Sequence, residues 1–326
     1  MSFPLFHRPG SVLFLDDDPD YLEILAKVLP PKWYLRMFLR PAQCIYHLHR
    51  ELRRWEQDRW SQQTMVDLWR QGKPLIPQIL QYWARTPERH ALTHVSVVDF
   101  SMPGMDGLQV LSELTDWPGA RVLLTGQADE RVAVGAFNRG LIDRYIPKQD
   151  PDVAGCLTEA IKTLCDRPHE QYNATWRSTL RPDQMALLTI PEVQQALRQF
   201  AARQWVEYVV IGQPFGVLGM NAQGQVSWLQ LETREGLAAI AELAELQGVD
   251  THGLQAIRKG RCLVPLEVRQ ALALQGPGEP LPTFAPAGDG GMLLAALYEL
   301  PASTLPAPLL GHQEWLALQP RDRIND

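Results

Sequence analysis

The residues of this chain with the most chemical potential stand at the ends of apolar runs. VLFL at 12–15 stops at Asp16, Asp17 and Asp18; HVSVVDF at 94–100 carries Asp99, after which Pro103, Gly104, Asp106 and Gly107 turn the chain. RVLLTG at 121–126 ends on the hydroxyl of Thr125, and LIDRYIPK at 141–148 ends on Lys148. A β-branched run that passes through a Pro/Gly cluster into helical spacing reads as a buried parallel strand, a loop and a helix. In open α/β sheets the carboxyl edge of the strands is where ligands bind, so Asp16, Asp17 and Asp99 are expected to share that edge. Carboxylates crowded there repel one another unless a hard cation neutralises them, and Mg²⁺ held by carboxylates and water is the usual solution. The chain has only six lysines, which makes one at a strand end informative. A carboxylate, Mg²⁺, a hydroxyl and an ammonium around one point form a receptor for the oxygens of a phosphoryl group. Aspartate also serves turns and caps on structural grounds, and Asp18, one step past the pair, reads as the cap of the following helix.

Strands must place these groups. With WYLRMF at 33–38 the chain shows five βα units, and strands alternating with helical patterns imply a parallel sheet with right-handed crossovers. The expected fold class is α/β: a doubly wound, five-stranded parallel sheet with an inserted helical hairpin at about 50–92, plus a smaller α+β C-terminal domain. From Pro41 to Gln71 the pattern is one helix, with Gly72 and Pro74 as stops. Unbroken, it would span about 45 Å at 1.5 Å per residue, more than a small domain covers, so it is expected to bend or protrude. Four of the ten tryptophans, Trp55, Trp60, Trp69 and Trp83, fall in this region and suit core or lid packing, or a partner surface.

The βα rhythm fills 1–166; 167–182 reads as an extended last helix running into a helical linker, 183–305 as the α+β domain and 306–326 as a loosely ordered tail. Within the second domain a hairpin is expected around Asn221 to Gly224, and another around GDGG at 288–291.

At 326 residues the chain has room for two domains, and its formal charge of -6 gives no electrostatic reason for non-specific binding to nucleic acid or anionic membranes. No apolar stretch is long enough to span a membrane and no signal peptide is legible, so a cytoplasmic location is expected. Cys44, Cys156, Cys165 and Cys262 show neither zinc nor disulfide spacing. The pairs His47/His49 and His90/His94 lack an acidic or thiol partner and are read as packing residues.

Taken in order, VLFLDDDPD, VVDFSMPGMDG, VLLTG and RYIPK resemble the receiver domain of two-component response regulators, over residues 10 to about 166 apart from the helical insertion. The resemblance implies that Asp99 is the phosphoacceptor and that Asp16, Asp17 and Asp99 hold Mg²⁺, with the main chain of Ser101 as a further ligand. It implies that Thr125 and Lys148 contact the phosphoryl oxygens, that Thr125 and Tyr145 form the switch, and that Met102, Pro103 and Gly107 shape the loop. It further implies a phosphorelay phosphoprotein that takes its phosphoryl group from a sensor histidine kinase or phosphotransfer protein, with a homodimer and an unidentified output partner as expected assemblies. The sequence departs from the pattern at Lys148-Gln149, where Lys-Pro is common, and in the spacing of 82 positions from Asp17 to Asp99, which the insertion explains. Ser101 and Gln127 occupy positions expected to control water access.

Two rival readings are weighed beside this one. A haloacid-dehalogenase-like phosphohydrolase would use Asp16 as nucleophile and Asp18 as its second acid, but Pro19 stands where that family has a small hydroxyl residue and no acidic pair follows Lys148. A DNA-binding output is opposed by residues 171–326, where 11 Lys and Arg face 15 Asp and Glu and no helix gathers a basic face. No enzymatic output motif is legible. The hairpin bears a faint resemblance to a PAS-like sensory fold, and a protein-interaction or ligand-sensing output is expected.

Overall fold

The computed structural model describes residues 3–126, 130–286, 293–320 and 324–325. In chain order its strands are β1 (Phe6–His7), β2 (Ser11–Leu15), β3 (Tyr34–Phe38), β4 (Thr93–Asp99), β5 (Ala120–Thr125), β6 (Arg144–Pro147), β7 (Glu207–Gly212), β8 (Phe215–Met220), β9 (Val226–Thr233), β10 (Cys262–Leu263), β11 (Leu281–Pro282), β12 (Leu293–Glu299) and β13 (Ile324–Asn325). The first six α-helices are α1 (Pro19–Val28), α2 (Pro41–Arg70), α3 (Leu75–Arg85), α4 (Gly107–Ser112), α5 (Glu130–Asn138) and α6 (Val153–Cys165). The chain divides into two compact units, one of Pro9–Asp58, Glu88–Arg167 and Leu316–Asp326, the other of Met1–Arg8, Arg59–Pro87 and Pro168–Trp315.

The first unit is built on a parallel sheet of order β13-β3-β2-β4-β5-β6. Successive side chains of a strand point to opposite faces, and the apolar runs fill both. Val12, Phe14, Val95, Val97, Val122 and Leu124 pack with Leu22 and Leu25 of α1 and Leu157 and Ile161 of α6. On the other face Leu13, Leu15, Val98 and Leu123 pack with Leu48 of α2, Val110 and Leu111 of α4 and Ala133 of α5. Burial on both faces explains why these strands read as continuous apolar runs rather than as alternations. Helix α1 starts on Asp18, whose Oδ1 accepts the N–H groups of Asp20 and Tyr21 at 2.9 and 3.2 Å. Helix α4 starts on a capping box between Asp106 and Gln109.

The second unit carries an antiparallel sheet of order β1-β7-β8-β9-β12. Its β8–β9 hairpin turns at Asn221–Gly224 as expected: Gly224 has φ +86°, and the Asn221 carboxamide oxygen accepts the N–H groups of Gln223 and Gln225 at 3.0 Å each. Trp228 is fully buried, and a β-carbon on Gly216 of the neighbouring strand would come within 2.6 Å of its ring, so glycine there makes room for the indole. The GDGG segment at 288–291 lies outside the described residues.

Four boundaries differ from the sequence reading. Phe6–His7 pairs with Val209 and Tyr208 at the edge of the antiparallel sheet, so the N-terminal strand does not belong with the parallel unit. Helix α2 runs as a single helix from Pro41 to Arg70, and from Arg59 onward it belongs with α3 to the second unit. Trp55 and Trp83 are core residues, whereas Trp60 is 74% exposed. Helix α6 stops at Cys165, and the expected linker instead forms a helix, Glu170–Arg177, that buries Tyr172 and Trp176 in the second unit. The Asn173 side chain there accepts the Leu5 N–H at 2.6 Å, which ties this helix to the strand at the N-terminus. From Leu316 the tail returns to the first unit, where Ile324–Asn325 adds a sixth parallel strand beside Met37 and Phe38.

Candidate functional site

Register brings the expected residues to one edge. Asp16 follows β2 directly and donates its N–H to the Phe38 carbonyl at 3.1 Å, which fixes it beside the end of β3. Asp99 is the last residue of β4 and Thr125 the last of β5. Lys148 follows β6, and its N–H donates to the Thr125 carbonyl at 2.8 Å, so a backbone bond fixes the lysine although glutamine rather than proline follows it. All four groups therefore stand at carboxyl ends of adjacent strands.

Asp16, Asp99 and Thr125 are 1, 3 and 2% exposed, while Asp17 is open to solvent. One carboxylate oxygen from each of Asp16, Asp17 and Asp99 lies within 4.8 Å of the others. The Lys148 ammonium bridges two of them, 2.7 Å from Asp16 Oδ2 and 2.9 Å from Asp99 Oδ1. Burial pushes the Asp16 carboxyl above the ordinary aspartate value despite the hydrogen bonds it receives from Lys148 and the Asp18 N–H, and the charge of Asp99 pushes it the same way. Burial works against the Lys148 ammonium, but its hydrogen bonds to Asp16 and Asp99 outweigh that and raise its pKa. Burial therefore decides the direction for Asp16, whereas the two neighbouring carboxylates decide it for Lys148. Hard oxygen donors from three acids at this spacing suit a divalent cation such as Mg²⁺.

The loop after β4 is shaped by close approach. Gly107 donates its N–H to the Phe100 carbonyl at 2.9 Å, and a β-carbon on it would lie 2.2 Å from the Asp99 carbonyl oxygen, so α4 can begin there only on glycine. Ser101 lies exposed in this loop, two residues beyond Asp99, and Met102 is buried against the α2–α4–α5 face. Tyr145, on β6, is partly buried against the same face. Asp18 caps α1. Gln127 lies outside the described residues. His47 is 3.2 Å from Glu51 and His49 donates to the Glu113 carbonyl at 3.0 Å, so each is engaged locally. Sequence reasoning missed Tyr21, whose ring centroid is 4.9 Å from the Lys148 ammonium. Its position in the first turn of α1 is common to core aromatics and carries no sequence signal of the lysine beside it.

No family model and no curated protein matches the chain. Among solved structures, that of the response regulator LqsR from Legionella pneumophila superposes with a TM-score of 0.71 at 22% identity, covering 99% of each chain. A response regulator receiver domain protein from Clostridium thermocellum gives 0.32 at 17% identity, covering 48% of this chain and 95% of its own. A CheY-like receiver domain protein from Methanospirillum hungatei gives 0.31 at 18%, covering 51% and 98%. Over its whole length the chain thus shares the fold of LqsR, with a flavodoxin-like parallel unit and a separate antiparallel one.

Proposed function

We propose that the chain is a two-component response regulator in which Asp99 accepts a phosphoryl group and the unit built on the antiparallel sheet carries the output. The observation that supports this best is the bridge of Lys148 between Asp16 and Asp99 at one strand edge, 2.7 and 2.9 Å away, with Asp17 within reach. Asp16, Asp17 and Asp99 would hold Mg²⁺, together with the main chain of Ser101. The bound cation would supply positive charge to shield the carboxylates and the incoming phosphoryl oxygens. A carboxylate oxygen of Asp99 attacks phosphorus of a phosphohistidine or small phosphodonor, the bond from phosphorus to the leaving group breaks, and an acyl phosphate forms. Lys148, held by its N–H at the end of β5, donates to the transferred group, and so does the Thr125 hydroxyl. A sensor histidine kinase or phosphotransfer protein is the donor in this reading.

Movement of Thr125 toward the phosphate and inward rotation of Tyr145 would carry the signal along the α5–β6–α6 surface. The receiver would then switch a protein-interaction or ligand-sensing output in the cytoplasm, with a homodimer as one assembly. Intact-mass measurement after incubation with acetyl phosphate and Mg²⁺ tests the reading. One hydroxylamine-labile phosphoryl group is expected on the parent and none on Asp99→Asn. Labelling of the variant equal to the parent's sinks the proposal, and a label mapped to Asp16 would point instead to phosphohydrolase-like chemistry.

A further inference from the structure

The loop and helix that present the acid pair also bring an aromatic ring to the lysine. Tyr21 sits in the first turn of α1, where its N–H donates to Asp18 Oδ1 at 3.2 Å, so the helix cap that follows the acid pair also fixes the backbone of Tyr21. One side of the side chain packs against the core shared by α1 and α6. The Lys148 ammonium lies 4.9 Å from the ring centroid, within the range at which a cation is held over an aromatic face. The phenol oxygen is buried and makes no hydrogen bond among the described residues, so the hydroxyl does not anchor the ring. What the site uses is the face.

An ammonium has three donors. The Lys148 ammonium lies 2.7 Å from Asp16 Oδ2 and 2.9 Å from Asp99 Oδ1, and the Tyr21 ring is its third neighbour. Asp16 Oδ1 accepts the Asp18 N–H, whereas Oδ2 is the oxygen beside Lys148. We propose that Tyr21 is a positioning residue for Lys148: its ring seats the ammonium when a divalent cation takes Asp16 from it, and so keeps the lysine beside Asp99. Without the ring, the flexible lysine has two alternatives. It stays on Asp16 and opposes the cation, or it leaves for solvent and is lost to the phosphoryl group. The inference rests on the reading of Asp16 as a cation ligand.

The test is a double-mutant cycle on the full chain, read as Mg²⁺ affinity by calorimetry in the absence of any phosphodonor. Tyr21→Met keeps volume and helix propensity while removing the ring, and Tyr21→Leu is a second ringless variant should the first fold poorly. In the parent background either is expected to weaken Mg²⁺ about three- to tenfold, a range set by the strength of a partly desolvated cation–aromatic contact. Tyr21→Phe, which keeps the face, should stay within about twofold. In a Lys148→Ala background, loss of the ring should no longer matter. Equal losses in both backgrounds, or a loss in Tyr21→Phe matching that in Tyr21→Met, overturn the proposal, because the ring would then act on folding or on the acids directly. If Asp99 takes up no phosphoryl group while the coupling persists, the phosphoacceptor reading fails and the role of Tyr21 stands.

Discussion

The parallel and the antiparallel sheet solve the same packing problem and arrive at different chemical potential. In both, the central strands are buried on both faces: Ser11–Leu15 is buried throughout, and so is Glu207–Gly212. In the parallel unit all strands point one way, so their carboxyl ends fall on one edge and Asp16, Asp99, Thr125 and Lys148 meet there. In the antiparallel unit successive strands reverse, so the ends of β7, β8 and β9 alternate between opposite edges. The lesson is directional. A run of strand ends concentrates polar groups only when the strands are parallel, and a charge at such an end is worth more attention than the same charge at the end of a hairpin strand.

The comparison breaks most visibly if chemistry does not track the parallel edge. Asp99→Asn should lose phosphoryl uptake to background with its circular dichroism unchanged, and uptake surviving in that variant would remove the edge from the argument. Next in size is Trp228→Ala in the antiparallel sheet. Emptying a fully buried indole site is expected to cost about 3–5 kcal/mol in urea unfolding while Asp99 is still phosphorylated below the transition. Loss of phosphorylation in the folded variant would show that the two units are not chemically separate. Asp17→Asn, which removes the solvent-open member of the acid trio, should weaken Mg²⁺ about tenfold, roughly 1.4 kcal/mol, by calorimetry.

Smaller effects sharpen the contrast. Thr125→Ala keeps the acceptor and removes the hydroxyl, so phosphorylation should persist while the change in hydrogen exchange over residues 141–182 produced by beryllofluoride in the parent is lost. In the antiparallel unit, burial raises the carboxyl pKa of Glu232, with the charge of Glu267 adding to it. A group whose folded pKa is raised favours the protonated form. Its contribution to stability is therefore full below the unfolded pKa and is lost as pH rises through the folded value. Glu232→Gln should consequently raise the melting temperature by about 1–3 °C at neutral pH, with the gain vanishing near pH 4. An equal gain at both pH values would assign the effect to packing.

The parallel unit was legible because its requirements are local. A buried parallel strand needs a continuous apolar run, a charge that interrupts the run at its end is conspicuous, and Gly107 follows Asp99 closely enough to be read as part of the same turn. Tyr21 escaped because an aromatic in a first helical turn looks like any core residue, and only the fold reveals that Lys148, 127 positions later, rests beside it. The boundaries failed for a related reason. Phe6–His7 is too short to show a pattern, and its partner Val209 is 203 positions away, so nothing nearby in the chain records the pairing. The helix at Glu170–Arg177 has a mostly polar sequence, and its burial of Trp176 becomes evident only in three dimensions.

That early pairing has a consequence for how the molecule comes into being. The chain passes between the units five times, at Arg8/Pro9, Asp58/Arg59, Pro87/Glu88, Arg167/Pro168 and Trp315/Leu316. A ribosome therefore delivers the first strand of the antiparallel unit long before the sheet that receives it, and the strand Ile324–Asn325 long after the parallel sheet it joins. Closing such distant pairings is entropically costly and slow, so neither unit is expected to mature on the emerging chain as a bead would on a string. The same threading bears on inheritance. Regulators whose units follow one another in sequence can exchange outputs by recombination at one joint, whereas a single joint between Arg8 and Leu316 would sever one unit to transplant the other.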